Sequence, residues 1–252
     1  MAKSLAVSRG FPEPFELKPE LITFDCAQTL LDVRWSLGPY AVECARHAGL
    51  ELDEAAAALY SQLYRPRHGY YLELNLTRDS ERCEAFWQEL SRDWLKELGH
   101  DPDVWHAKLD RASNLIGFSG ESEFFRAYED VRPALERLRA LGARLAVISN
   151  WDYSLHKILR ALGLHDRFEL VVASLEEGYE KPDPRIFLQT LKKLGVEPGN
   201  AAHVGDNPID DLQGARKVGM RGVLVDRSRK SPASPPYVAS LLDLPGALGW
   251  KD

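Results

Sequence analysis

Two carboxylates and a hydroxyl, each at the end of an apolar run, carry the chemistry this sequence offers. Leu21-Ile22-Thr23-Phe24 leads into Asp25, Leu145-Ala146-Val147-Ile148 into Ser149, and Ala202-His203-Val204-Gly205 into Asp206. A carboxylate at the exit of a buried strand is unfavourable unless it is paired or used. One oxygen of Asp25 can attack a phosphorus centre and form an aspartyl-phosphate, while the other binds a divalent cation. Asp206 supplies a second carboxylate for a hard, oxygen-preferring ion such as Mg²⁺. Asp210 and Asp211, near the start of the next helical pattern, can bind metal-bound water or orient the ligands. Ser149 and Asn150, with the amides that open the next helix, form a cradle for phosphate. Lys181, in Gly178-Tyr179-Glu180-Lys181-Pro182-Asp183-Pro184, can offset the charge gathered by Asp25, a phosphate and Asp206.

Positioning these groups on one rim requires a parallel sheet. From Val131 onward the pattern alternates: strands at 143–149, 168–173, 200–204 and 221–225, helices at about 131–141, 153–162, 184–194 and 209–218. Short connections between alternating elements imply a Rossmann-like α/β core with helices on both faces. In such a sheet, ligands bind beyond the carboxyl ends of the strands, where Asp25, Ser149 and Asp206 all fall. The strand at 20–24 must join this sheet, since alone it could not be stable. The stretch from 34 to 128 is therefore an insertion. It is helical by period and shows no convincing strand. Asp53 can cap a helix through Ala55–Ala58, and a longer helix at 79–98 carries Phe86, Trp87, Leu90, Trp94, Leu95 and Leu98 on one stripe before Gly99 stops it. Trp35, Trp87, Trp94 and Trp105 all lie in this insertion. They suit a small helical core, with one or two free to line a pocket.

The domains expected are an arm at 1–16, a core at 17–33 and 129–252, and the helical segment at 34–128. Ser228–Pro236 reads as a surface loop or hinge before a short final helix. The 252 residues are 44% hydrophobic and 28% charged, enough to bury a core and stay soluble. A net charge of −6 argues against bulk nucleic-acid or membrane binding without excluding an anionic small molecule. No stretch approaches the roughly 20 apolar residues of a membrane span, and no signal peptide is recognisable. Cys26, Cys44 and Cys83 make neither a paired framework nor a close-spaced metal motif, which fits reduced thiols in the cytoplasm. Alternation turns Cys26 away from Asp25, towards packing. Oligomeric state leaves no sequence signal.

These residues resemble the haloacid dehalogenase-like hydrolase superfamily over essentially all of 20–226. Asp25 falls on the nucleophile of the first motif, with Thr29 and Leu30 matching its usual ending. Ser149 falls on the hydroxyl of the second motif, followed by Asn150. Lys181 matches the third-motif lysine, and Gly205-Asp206 with Asp210 and Asp211 the acidic fourth motif. The insertion resembles the cap of one subclass, and within it the group of HAD-domain-containing protein 3-like proteins. The resemblance implies a phosphorylated small-molecule substrate contacted by Asn150 and Thr29. It implies Mg²⁺ held by Asp25, Asp206 and the backbone carbonyl of Ala27, and hinges near Val33 and at Tyr128–Asp130.

One departure stands out against the family pattern. Related phosphatases carry a second aspartate two residues after the nucleophile, which protonates the leaving oxygen. Here that position is Ala27, and Gln28 replaces the usual glycine. A positioned acid–base group is worth about 10² to 10⁴ in rate. Three readings follow: a phosphohydrolase favouring leaving groups that need little protonation, or borrowing a group from the cap; a hydrolase of C–P or C–halogen bonds; a binding module of low turnover. His68, Tyr70 and Tyr71 are the candidates for a borrowed group. No lysine lies between Lys18 and Lys96, which disfavours Schiff-base phosphonate chemistry.

Overall fold

A computed structural model describes residues 18–228 and 237–250. The expected arm at 1–16 and most of the Ser228–Pro236 loop lie outside the described residues. In chain order the elements begin with β1 (Leu21–Phe24) and β2 (Leu31–Val33), then the inserted helices α1 (Leu37–His47), α2 (Glu54–Tyr64), α3 (His68–Leu76), α4 (Ser80–Glu97) and α5 (Pro102–Gly117). The chain returns through β3 (Phe125–Ala127), α6 (Val131–Ala140), β4 (Arg144–Ser149), α7 (Ser154–Ala161), β5 (Leu170–Ala173), α8 (Ser174–Glu177) and α9 (Pro184–Leu194). It ends with β6 (Ala201–Gly205), α10 (Gly214–Lys217), β7 (Arg221–Val225), β8 (Tyr237–Val238) and α11 (Leu244–Ala247).

Six strands form one sheet in the order β5-β4-β1-β6-β7-β8, and every pairing in it is parallel. Strands covered on both faces read as unbroken apolar runs, and β1, all buried, is such a strand. Its alternation divides the core. Ile22 and Phe24 pack with Leu145, Val147, Leu135 and Leu155 on the face covered by α6 and α7. Leu21 packs with Ala146, Ile148, Ile186 and Phe187 on the face covered by α9. The sheet order turns back at β1, between β4 and β6, so the switch point lies where the carboxyl ends of these three strands meet.

Helix α9 shows how locally the sequence writes its boundaries. Asp183 accepts a hydrogen bond from the Arg185 N–H at 2.9 Å, Pro184 occupies the first helical position, and Gly195 ends the helix in left-handed geometry. Inserted helices α1, α2, α4 and α5 share a separate core around Trp94, Leu90 and Leu95. The Trp94 indole donates to the Ala56 carbonyl at 2.8 Å, tying α4 to α2. A side chain at Gly38 would meet the Ala57 carbonyl at 2.2 Å, so that glycine sets how closely α1 and α2 approach. Trp105 packs beside this core, whereas Trp35 is exposed.

Two expectations need correction. The stretch 34–128 does contain a strand: β3 pairs antiparallel with β2, joining the exit and return of the insertion next to the expected hinges. Three residues are too few for period-2 alternation to show. The helix expected at 209–218 opens as a π-helical turn over Pro208–Gln213, with the Leu212 N–H donating to Asn207 five residues back. A short edge strand, β8, precedes the final helix. None of the described helices is long and apolar enough to cross a membrane.

Candidate active site

Strand ends bring the sequence's candidates together around one buried lysine. The backbone N–H of Asp25 donates to the Val204 carbonyl at 2.8 Å, extending the β1–β6 ladder and holding Asp25 beside the end of β6. Asp25 Oδ1 accepts from Ser149 Oγ at 3.0 Å, across from the end of β4, and from Lys181 Nζ at 2.6 Å. Lys181 Nζ also donates to Asp211 Oδ1 at 2.6 Å. All three charged groups are buried. Burial alone would lower the Lys181 pKa, but the two carboxylates outweigh it and raise it above the ordinary value.

Asp211 is the most constrained carboxylate. Its Oδ1 also meets His203 Nε2 at 3.1 Å, and its Oδ2 accepts from the Asn207 N–H at 2.9 Å. The His203 ring is fixed at its other nitrogen by Thr23 Oγ1 at 2.8 Å. Burial opposes ionisation of Asp211, yet His203 and Lys181 hold its carboxyl well below the usual carboxylate range. Burial also lowers the His203 pKa. Closeness depends on Gly205, where a Cβ would fall 2.1 Å from Asp211 Cγ. The π-helical turn that carries Asp211 delivers its carboxylate against that bare backbone.

Asp25, Asp206 and Asp211 each present an oxygen within 4.8 Å of the others, a set that could hold a metal ion. The charges fit such an ion. Three ionised carboxylates around one ammonium leave two negative charges without an offset. Asp206 registers that excess: burial, then Asp25 and Asp211, push its pKa up to about 6. Donor chemistry narrows the ligand set, because both Asp211 oxygens are already engaged by Lys181, His203 and Asn207. Asp25 and Asp206 remain as the open carboxylates. The bridge of Ala27 to Leu31 uses the Cys26 carbonyl and the Gln28 N–H, and leaves the Ala27 carbonyl out.

The remaining candidates sit around this cluster. Thr29 is fully buried, and its hydroxyl faces Asp206 Oδ1 at 3.4 Å. Asn150 binds the backbone of Lys181 at both ends of its amide, at 2.9 Å to the carbonyl and 2.7 Å from the N–H. It thereby fixes the lysine, and it also lines the cavity beside the strand ends. Asp210 caps the loop through Asn207 Nδ2 at 2.9 Å, and is less buried than Asp211. Cys26 is fully buried among apolar neighbours, where burial pushes its thiol pKa up.

His203 is the residue sequence reasoning missed. It sits mid-strand in an apolar run, where a polar side chain is a signal in itself. Gln28 was also undervalued. It adopts φ 55° in place of a glycine, and its amide donates to the Val33 carbonyl at 3.0 Å and accepts from Tyr128 Oη at 2.9 Å. It thereby ties the loop after Asp25 to β2 and to the residue that follows β3.

A cavity of about 580 Å³ opens from Ala27 and Asn150 into the inserted helices, walled by aromatic side chains from both parts. Tyr71 lines it, with its hydroxyl on Asp152 Oδ2 at 2.6 Å; burial and that carboxylate drive its pKa far above ordinary phenols. His68 and Tyr70 are not part of the wall, and both side chains lie on the exposed side of α3.

A parallel α/β sheet thus carries a lysine-bridged carboxylate cluster at its switch point. Residues 19–219 match the model of the haloacid dehalogenase-like hydrolase family, and the chain belongs to that family. It is 34% identical over 209 residues to haloacid dehalogenase-like hydrolase domain-containing protein 3 of Danio rerio, covering 82% of this chain and 84% of that one. It is 30% identical over 207 residues to the glyceraldehyde 3-phosphate phosphatase of Methanopyrus kandleri, covering 77% of each. Two solved structures share the fold: a HAD phosphatase from Thermococcus onnurineus (TM-score 0.59, 25% identity, 92% and 99% of the two chains) and a 2-haloacid dehalogenase from Pseudomonas syringae (TM-score 0.62, 26% identity, 91% and 98%).

Proposed function

We propose that this hydrolase is a Mg²⁺-dependent phosphohydrolase that forms an aspartyl-phosphate on Asp25 and acts on small phosphorylated molecules. One observation carries the reading. Ser149 and Lys181 both bind Asp25 Oδ1, which leaves Oδ2 out of either hydrogen bond, on a residue that shares a possible cation site with Asp206. A carboxylate oriented by two donors is a poised nucleophile, and the same donors lie where oxygens of a transferring phosphoryl group would meet them. Mg²⁺, held by Asp25, Asp206 and the Ala27 carbonyl, would neutralise charge on those phosphoryl oxygens. Asp211 and Asn150 keep Lys181 in place, and Thr29 backs Asp206.

In the first step the Asp25 carboxylate forms an O–P bond while the bond from phosphorus to the leaving oxygen breaks. Water then cleaves the aspartyl-phosphate and restores Asp25. Ala27 supplies no proton to the leaving oxygen. Of the candidates for a borrowed acid, Tyr71 holds its proton too tightly, and His68 and Tyr70 lie outside the cavity. Substrates whose leaving group departs as a stable anion therefore suit the site: acyl and aryl phosphates before alkyl phosphates. The helical segment 34–128 acts as the cap over the site, with β2 and β3 as its stem.

The absent acid also favours a second reading, a binding protein of low turnover. A screen of p-nitrophenyl phosphate and acetyl phosphate with and without Mg²⁺ separates the two. The enzyme predicts hydrolysis that is abolished by chelator and by Asp25→Asn. Folded protein that leaves every phosphate intact in Mg²⁺ supports the binder.

A further inference from the structure

From the charge of the cavity wall we infer that the substrate body is aromatic and neutral or cationic, without a second anionic group. This deepens the phosphohydrolase reading and rests on it. The cavity begins at Ala27 and Asn150, the neighbours of Asp25 and Ser149, so whatever the phosphate is attached to must occupy it. Among the described residues that line it, none is Lys or Arg, while four are Glu84, Asp110, Asp152 and Glu180. Glu84 is paired with Lys157 at 2.8 Å, and that ammonium also lies over the Phe118 ring, 4.1 Å from its centroid. Among the described residues, Asp152 meets neutral donors, the Tyr71 hydroxyl at 2.6 Å and the Ser154 N–H at 2.8 Å. Asp110 has the Asn114 amide at 3.5 Å.

The site's buried cation, Lys181, is fully engaged by Asp25 and Asp211. A carboxylate or a second phosphate on the substrate body would thus enter a wall of mostly its own sign, where among the described lining residues His106 is the one titratable nitrogen and the Lys157 ammonium is already held by Glu84. Shape agrees with charge. Tyr64 stacks on Trp87 with centroids 5.4 Å apart and planes 12° from parallel, and Trp151 closes the wall nearest the strand ends. Flat aromatic faces accept apolar rings and attract cations placed over them. Small polyanionic metabolites suit neither property.

Three aryl phosphates with closely matched leaving groups test this: 4-methylphenyl, 4-(aminomethyl)phenyl and 4-(carboxymethyl)phenyl phosphate. The neutral and cationic members should exceed the anionic one at least tenfold in kcat/KM, chiefly through KM. Asp110→Lys should narrow that gap at least threefold. Equal efficiencies, or preference for the carboxymethyl ester, overturn the inference. Calorimetric titration with the three parent phenols separates it from the phosphohydrolase reading, because it needs no turnover. The cationic and neutral phenols should bind at least tenfold more tightly than 4-hydroxyphenylacetate. Equal affinities, or no binding of any of the three, contradict the inference; absence of Asp25-dependent hydrolysis contradicts only the reading beneath it.

Discussion

The rim of the sheet and the wall of the cavity treat polar groups in opposite ways. At the rim, each buried charge has a charged or strongly dipolar partner: Asp25 and Asp211 share Lys181, and Asp211 adds His203 and a backbone N–H. Along the wall, Asp152 and Asp110 face neutral donors or none at close range, amid aromatic rings. A network that is satisfied on every side is rigid and intolerant, because removing one member strands the rest. In the wall the links are looser, Glu84 to Lys157 and Asp152 to Tyr71, and acids such as Asp110 stand outside the packed core that Trp94 and Tyr60 belong to. On the proposed function, the strand ends carry the chemistry and the inserted helices the selectivity.

Removing the ammonium attacks the contrast most strongly. Lys181→Met leaves Asp25 and Asp211 as buried carboxylates without their cation, and should cost about 3–5 kcal/mol in stability as well as the activity. Urea unfolding measures the loss, and Asp110→Asn in the wall should stay within about 0.5 kcal/mol of wild type. Equal losses would dissolve the distinction between rim and wall. Gly205→Ala comes next. Its Cβ must displace the Asp211 carboxylate 2.1 Å away, which should destabilise by about 1–3 kcal/mol and lower activity with it. Ala27→Asp should raise turnover of alkyl phosphates about tenfold or more, while aryl phosphates gain less. No gain would place the deficit deeper in the loop, where Gln28 stands in left-handed geometry.

Asp206 gives the smallest effect and a pH signature. Its pKa rises on folding from 3.8 to about 6, so the native state holds that proton more tightly than the unfolded chain. Metal-free stability therefore falls as pH rises from about 4 to 6, and the deficit persists above that window. Asp206→Asn should stabilise the metal-free protein at pH 7 by about 1 kcal/mol, after allowing for partial solvent screening. Saturating Mg²⁺ should reverse the order of melting temperatures, since the ion stabilises only the wild-type site.

Strand-end chemistry was legible in the sequence for a physical reason. Asp25, Ser149 and Asp206 each interrupt an apolar run, and a polar residue in that place signals itself. Burial on both faces of a parallel sheet likewise made the core strands readable. What escaped was set by tertiary approach. Nothing local in the sequence sends Asn150 to the Lys181 backbone and Thr29 to Asp206. The π-helical turn at Pro208–Gln213 follows from fitting Asp211 against Gly205, and the β2–β3 pair from joining two distant segments. His203 was masked by the apolar run that contains it. The cavity and its sign belong to no single stretch of chain, since its wall draws on α1 through α5 and on the loop after β4.

The central claim is that Asp25 becomes phosphorylated during turnover. Rapid acid quench of the Mg²⁺-loaded protein with acetyl phosphate, followed by peptide mass spectrometry, tests it directly. The account predicts a phosphoryl adduct on the peptide bearing Asp25, absent in Asp25→Asn and absent in chelator. Steady hydrolysis with no adduct on that peptide, or hydrolysis undiminished in Asp25→Asn, would contradict it.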